Sequence, residues 1–382
     1  MNKKCLLVTS VSSMVGQFIM PNIELLQSIG YRVTVATNFS FGSAFSDGHA
    51  ENLWKTLKNK DVEVFNIKFF RNVFDFRNIF AYNQIKKLIT HSNYSLIHCH
   101  SPIGGLITRL AAKKHSSSTK VIYTVHGFHF YKNAPIINWM LYYPVEKWLS
   151  KYTDILITMN REDYNLAKSE MRAKSIYYTH GVGINISAFS ISNMDREKKR
   201  KEFNISADST VIISVGELIK RKNHHLAIKA LCKMKANNIY YIICGQGKLQ
   251  NKLRDLYKKI NNEHRVLFLG YRDDIVDLLH MSDAFLFPSL QEGLPVALME
   301  AMAAGLPCIA SNIRGSADLI TDGKGGFLCD VNNINEYKNA IEKIIANDKL
   351  KFTMGEYNRN ALQKFDIPVV MKQLKEIYDS IF

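Results

Sequence analysis

The chain has 382 residues, of which 47% are hydrophobic, a length that suits two α/β domains and an ordinary content for a globular protein. Its formal net charge is +16, with 22 Lys and Arg against 11 Asp and Glu in residues 1–190 and 28 against 23 in residues 191–382. No apolar run approaches the roughly 18 residues of a membrane span, and the six cysteines, none in a CxxC pair, read as reduced core residues of a cytosolic protein.

In chain order, MNKKCLLVTS starts a first strand rather than a signal peptide. Short apolar, β-branched runs at 5–11, 32–37, 62–67, 95–100, 120–125 and 153–159 read as strands. Helical segments separate most of them, such as PNIELLQSIG (21–30), which stops at Gly30. Residues 183–206 change composition and end in a charge run, which marks a linker. Strands then resume at 211–216, 240–245, 265–270, 283–288, 307–311 and 325–329. This βαβα alternation predicts an α/β fold of two doubly wound, Rossmann-like domains, 1–185 and 200–362. Ligands of such sheets bind at the strand C-termini, in a cleft that the two domains would face.

Several stretches carry candidate chemistry. In 67–89, IKFFRNVFDFRNIFAYNQIKKLI, aromatics alternate with Arg, Lys and Asn. That pattern is either core packing with solvated charge or a patch that lies on a membrane. Stacking of single-stranded nucleic acid ranks lower, since no nucleic-acid module accompanies it. In SLIHCHSPIGG (95–105), His98 and His100 project to one strand face, but no third ligand of suitable spacing follows, so no metal is expected. The pair Gly104–Gly105 permits close backbone approach at a helix start. His126 falls where a strand meets a glycine.

In the second half, VGELIKRKNHHLAIKAL (215–231) ends a strand at Gly216 and starts a helix near Asn223. Lys222 therefore stands near a helix N-terminus, where it can neutralise a diphosphate. In LGYRDDIVDLL, Asp273 and Asp274 read as acidic residues favouring a helix start. The stretch SLQEGLPVALMEAMAAGLPCIAS (289–311) reads as loop, helix and strand, with Pro295 at the first helical position, Gly305 as the stop and Pro307 after it. Glu292–Gly293–Leu294 then lie at a helix N-terminus. A glutamate there would repel a phosphate unless it binds something else, such as sugar hydroxyls. Glu300 sits eight residues on, among Ala, Leu and Met, where a lone carboxylate is costly. Eight helical residues span about 12 Å.

Together these motifs resemble the Glu-x7-Glu signature of retaining nucleotide-sugar glycosyltransferases with two Rossmann-like domains, the GT-B fold and family 4 type. The resemblance covers nearly the whole chain. It implies that the final helix, 365–382, returns to the first domain, which takes the acceptor, while the second binds the nucleotide sugar. It implies Glu300 on the ribose hydroxyls, Glu292 near the donor sugar, and the Gly293–Leu294–Pro295 backbone against the diphosphate and sugar. Lys222 matches the Lys of the family's Gly-Arg-Leu-x3-Lys, which begins here at Gly216. Glu217 stands at the Arg position, and Arg221 is the candidate substitute. The backbone at Arg272 would meet the base. His126 matches a histidine that faces the donor sugar, and with Glu292 and Lys222 completes the expected catalytic set. HGFHFY, with His129, resembles enzymes of capsule, exopolysaccharide and O-antigen assembly. The first loop, with Gly16, would serve the acceptor side. The implied reaction moves a sugar, by weak preference an N-acetylated hexose, from a UDP-sugar with retention. It needs no metal and no cofactor beyond the donor. The implied acceptor is a polyprenyl-diphosphate-linked sugar at the anionic inner face of the cytoplasmic membrane, with the protein cytoplasmic and peripheral there and without a nucleic-acid partner. A nucleotide-sugar epimerase or phosphorylase on this fold, and a non-catalytic basic protein binding membrane or nucleic acid, stay open.

Overall fold

The computed structural model describes residues 3–41, 47–70, 72–113, 119–190, 194–234, 238–260 and 265–381. Arg71 of the aromatic–basic stretch, and residues 191–193 of the expected linker, lie outside them. The chain forms two compact units, Met1–Gly183 with Ile367–Phe382, and Ile184–Asp366.

The first unit is built on seven parallel strands: β1 (Lys3–Val8), β2 (Tyr31–Thr37), β3 (Glu63–Asn66), β4 (Leu96–His100), β5 (Lys120–Val125), β6 (Ile155–Thr158) and β7 (Ser175–Tyr178). Their order is β3-β2-β1-β4-β5-β6-β7. Parallel strands covered on both faces need apolar residues on both, which explains runs such as CLLV and YTV. On one face, Leu6 and Val8 pack with Ile85 and Ile89 of the helix Asn78–His91 and with Ile103 and Ile107 of the helix Pro102–Ala112. On the other, Cys5 and Leu7 pack with Ile23 and Leu26 of the helix Met20–Ser28 and with Leu374 and Ile377 of the helix Ile367–Asp379. The C-terminal helix thus returns to the first unit. None of the six cysteines forms a disulfide.

Two expectations in this unit shift. The first strand ends at Val8 instead of residue 11, because the Thr9 hydroxyl bonds the Val11 carbonyl at 3.1 Å and Thr37 Oγ1 at 2.7 Å, turning the chain into a helical segment. Strand β7 was not anticipated: SIYY is a half-buried edge, without the continuous apolar run of a central strand.

The second unit holds six parallel strands: β8 (Thr210–Val215), β9 (Ile239–Cys244), β10 (Arg265–Gly270), β11 (Ala284–Phe287), β12 (Cys308–Ser311) and β13 (Gly326–Cys329), in the order β10-β9-β8-β11-β12-β13. The segment expected as a linker is mostly part of this unit. It carries the helices Ile186–Ser190 and Arg196–Lys201, and its charge run is not solvated throughout. Arg200 is buried, with its guanidinium donating to the carbonyls of Met281, Ala207 and Ser209 and to Asp283 at 2.8–3.0 Å. A planar fork with five donors can be satisfied in this way, which composition cannot reveal.

Three adjacent strands of this sheet lead into glycines. Gly216 N donates to Cys244 O at 2.9 Å, and Gly245 N donates to Gly270 O at 2.7 Å. At Gly245, φ is +140° and a Cβ would stand 1.9 Å from Gly216 O. That contact admits no side chain without backbone movement, and it fixes the start of the loop 216–222. Gly245→Ala is therefore expected to destabilise the protein by about 2 kcal/mol or more. A lowered urea midpoint would register it, and an unchanged midpoint would refute the close approach.

Candidate functional site

In an open parallel sheet, ligands bind beyond the strand C-termini where strand order reverses. In the second unit that point lies between β8 and β11. The loop after β8 carries Gly216 to Lys222, and the loop after β11 carries Glu292 to Pro295. The two loops are joined by charge. The Glu292 carboxylate meets Lys222 Nζ at 2.8 Å and Arg221 Nη1 at 2.6 Å. Arg221 Nη1 also donates to Gln291 O at 2.9 Å, Leu290 N donates to Arg221 O at 2.8 Å, and Lys222 Nζ stands 4.8 Å from the Phe287 ring centre. Glu292 is buried, which alone would raise its pKa, but the charges and hydrogen bonds of Lys222 and Arg221 outweigh this and hold it below the usual value. Glu217, by contrast, is exposed, with its carboxylate 4.0 Å from Arg221. Arg221, not residue 217, thus brings the second cation to Lys222.

The helix Val296–Ala303 begins one residue later than expected, with Pro295 as its extended N-cap at φ −80° and ψ 111°. Gly305 stops it at φ +80°. Gly315, at φ +78°, presses on the loop from the other side: a Cβ there would lie 2.2 Å from Gly293 O. Beside it, Arg314 Nε donates to Glu292 O at 3.2 Å. Glu300 is partly buried on this helix, and no ion pair or side-chain hydrogen bond to its carboxylate occurs among the described residues. Burial raises its pKa from 4.5 to about 7. The two glutamates therefore have opposite surroundings, one neutralised by cations and one not.

Arg272 is committed to Asp274 through two bonds, at 2.7 and 2.5 Å, and Lys199 Nζ reaches the same carboxylate at 2.8 Å. The aspartates do precede a helix as expected: Asp274 occupies the N-cap position of the helix Ile275–His280, although its side chain makes no cap bond there. Its carboxylate is taken by cations, which hold its pKa well below the ordinary range.

Gly16, His126 and His129 belong to the first unit, and Glu292 to the second. Gly16 lies in a π-helical turn, Val15–Ile19, ahead of the helix Met20–Ser28. His126 follows β5, and its Nε2 is 3.2 Å from His100 Nδ1. His129 is tied to the helix Ile136–Leu149, with its ring 4.6 Å from that of Tyr142 and its carbonyl accepting from Asn138 at 2.9 Å. His98 and His100 share a face as expected, with ring centres 4.2 Å apart. Among the described residues no group of three His, Cys, Asp or Glu is placed to hold a metal ion.

Sequence reading missed several polar groups beside these loops. His224, Ser289 and Ser316 are buried, and His224 Nδ1 and Nε2, Ser289 Oγ and Ser316 Oγ have no hydrogen-bond partner among the described residues. Burial, and then the Lys222 charge, lower His224 to about 4. Buried polar atoms are normally paired, so such a cluster singles out this end of the sheet. Only its adjacency to the Lys222 and Glu292 motifs could have signalled it.

Comparison with known proteins agrees with this architecture. The family description "Glycosyl transferases group 1" matches residues 195–361, and "Glycosyl transferase 4-like" matches residues 4–160. The "Putative glycosyltransferase EpsD" of Bacillus subtilis is 34% identical over 385 residues, covering 100% of this chain and 97% of the relative. The UDP-Gal:alpha-D-GlcNAc-diphosphoundecaprenol alpha-1,3-galactosyltransferase of Escherichia coli is 32% identical over 317 residues, 81% of each chain. Among solved structures, Anabaena HepE in complex with UDP and glucose superposes with a TM-score of 0.79 at 21% identity, over 99% of this chain and 100% of that one. At that identity the likeness carries the GT-B fold.

The Glu300 environment has a measurable consequence. A carboxyl whose folded-state pKa is raised from 4.5 to about 7 is ionised in the unfolded chain first, so its stabilising effect is lost as pH rises through that window. Above pH 7 this amounts to a penalty on the order of 3 kcal/mol. Glu300→Gln is expected to be more stable than the wild type by that amount at pH 8, with the gain vanishing towards pH 4.5. Urea unfolding across the range measures it, and no gain at pH 8 would mean the carboxylate is already compensated.

Proposed function

The chain belongs to the group 1 glycosyltransferases and is a glycosyltransferase, and on that premise we propose that it moves a sugar from a UDP-sugar to a polyprenyl-diphosphate-linked acceptor in bacterial surface polysaccharide synthesis, with retention and without a metal. The observation that carries the reading is the gathering of Arg221 and Lys222 on Glu292, at the N-terminus of the helix that bears Glu300. Two cations and helix N–H groups suit a diphosphate. A carboxylate without a counter-ion suits vicinal ribose hydroxyls, since it accepts from both. UDP as the nucleotide is supported by the relative from Escherichia coli, whose name specifies UDP-Gal, and by HepE, a fold neighbour that binds UDP. The lipid-linked acceptor rests on that relative's name, which specifies a diphosphoundecaprenol substrate.

In this reaction the bond from the anomeric carbon to the diphosphate breaks, its electron pair leaving on oxygen. The acceptor hydroxyl bonds the same face of the sugar and gives its proton to a diphosphate oxygen. Lys222 and Arg221 stabilise the leaving charge, the part a metal plays in other transferases. Glu292 and His126 are assigned to the donor sugar. An N-acetylated hexose remains the preferred donor.

The acceptor would be met at an anionic membrane surface. No helix among the described residues is long and apolar enough to cross a membrane. The first unit instead exposes Phe74, Phe76, Ile79 and Phe80 at the start of the helix Asn78–His91, which also exposes Lys86 and Lys87. It exposes Ile136, Ile137 and Met140 at the start of the helix Ile136–Leu149. Both helices lead on from strand C-termini, so these side chains lie towards that edge of the sheet. Apolar patches of this kind, with flanking lysines, fit an interfacial contact.

Two measurements test the proposal. UDP at a hundredfold excess over its Kd should stabilise the protein by about 2.7 kcal/mol, with GDP and ADP weaker and the response to UDP lost in Glu300→Ala; a response to GDP alone would change the donor. In flotation assays, vesicles with anionic lipid should carry the protein at low salt and release it at high salt, where charge is screened. Phe76→Ser with Phe80→Ser should weaken capture, and wild-type protein that stays with the soluble fraction at low salt would rule the membrane contact out.

A further inference from the structure

Three imidazoles line up at the C-terminal edge of the first sheet. His98 is held at both nitrogens, Nδ1 at 2.9 Å from the Tyr378 hydroxyl and Nε2 at 2.8 Å from Thr124 Oγ1. Its ring stacks on His100, with centres 4.2 Å apart and planes inclined by 31°. His100 is fully buried, and its Nδ1 lies 3.2 Å from His126 Nε2. His126 is partly exposed, and its Nδ1 has no hydrogen bond among the described residues. That nitrogen is therefore the one left for a ligand.

A contact between two ring nitrogens needs one proton between them. Burial keeps all three rings neutral at pH 7: it lowers His98 to about 3, His126 to about 4, and His100 well below its usual value. A neutral ring holds one N–H and one lone pair, so the shared proton belongs either to His100 Nδ1 or to His126 Nε2. The far side of His100 decides between them. His100 Nε2 is buried without a protein partner. His100 lines a cavity of about 20 Å3, whose walls mix apolar Ile19, Ile157, Val370 and Leu374 with polar Asn22, Thr124 and Thr179. None of these side chains bonds Nε2, and a buried N–H without an acceptor is a worse orphan than a lone pair. The proton of His100 therefore sits on Nδ1.

We propose that His100 is a positioning residue for His126: its Nδ1–H donates to His126 Nε2 and fixes His126 as the tautomer that carries its proton on Nδ1. This rests on the reading of His126 as the group that faces the donor sugar. Its consequence is specific. His126 meets that sugar as a hydrogen-bond donor with no lone pair to offer, so it can bind a hydroxyl or carbonyl oxygen but cannot act as a base towards the acceptor. Its orientation is set by His100, which is itself clamped by His98 and, through His98, by the C-terminal helix.

Nitrogen NMR of the full chain labelled in histidine tests this directly, with the His126 signals assigned by their loss in His126→Gln. Wild-type protein should show His126 protonated on Nδ1 and bare on Nε2. His100→Phe keeps a ring without a donor, and should release His126 to the other tautomer or to a mixture. His100→Asn keeps an N–H near the original Nδ1, and should restore the wild-type tautomer. In transfer assays His100→Phe should lower kcat by about 10–100-fold, the usual loss when the partner that orients a functional histidine is removed. The KM for the donor should stay within about twofold, and His100→Asn should recover most of kcat. A wild-type His126 protonated on Nε2, or a tautomer unchanged in His100→Phe, would overturn the proposal. Equal losses in the Phe and Asn variants would also overturn it, making His100 a packing residue. A tautomer that follows the prediction while kcat stays constant would uphold the contact and sink the placement of His126 at the sugar.

Discussion

A carboxylate held between two cations governs the second unit. Arg221 and Lys222 come from the loop after β8 and Glu292 from the loop after β11, so one cluster of charge ties the two loops that flank the switch in strand order. A buried ion pair is weak evidence of stability, because desolvation can cancel the attraction. Its value here is organisational. Arg221 and Lys222 meet on one carboxylate, and two cations so close repel each other. Glu292 offsets that repulsion in the free protein, and its loop is packed from the other side by Gly315, where a Cβ would lie 2.2 Å from Gly293 O.

Glu300 shows the same residue type under the opposite condition. It lies on the helix that Glu292 precedes, but no cation compensates its burial, and its pKa rises to about 7. A polypeptide optimised only for stability would place glutamine or methionine at this position. An uncompensated carboxylate that weakens the fold is the expected trace of a binding role. The pair thus differs by environment: one glutamate is held between two cations, and the other is left without a counter-ion.

Much of this was legible in the chain itself. The strands VIISVG, YYIICG and RVLFLG each run into a glycine, and the structure sets those glycines side by side at one sheet edge. Glu300 stood out as a lone acid on an apolar helix, and Lys222 as a cation before a helix start. What escaped the sequence were relations between distant residues. Arg200 looked like part of a solvated charge run, but its partners Met281 and Asp283 lie some 80 positions away. Strand β7 lacked an apolar run because it is an edge. His98 and His100 could be placed on one face by the two-residue period, yet Tyr378, which bonds His98 across 280 positions, could not be paired with it by any local pattern. The Glu217–Arg221 exchange was visible as a departure, and only the coordinates show Arg221 on the Glu292 carboxylate.

The two units also differ in charge at their functional edges, and the proposed reaction gives a physical reason. The leaving diphosphate gains negative charge, so cations belong beside it, and the second unit supplies Arg221 and Lys222. In that reaction the sugar ring gains positive charge as the bond breaks, so a cation close to it would raise the barrier. A histidine there is useful only if it stays neutral. His126 is kept neutral by burial, and its neighbours on β4 are neutral imidazoles rather than Lys or Arg. At ε ≈ 20, a unit charge about 4 Å away is worth about 4 kcal/mol, so a protonated His126 at that distance from the anomeric carbon would oppose the very charge that the cations of the second unit help to create. If the reaction proceeds as proposed, a neutral His126 and the cations Arg221 and Lys222 answer a single electrostatic requirement.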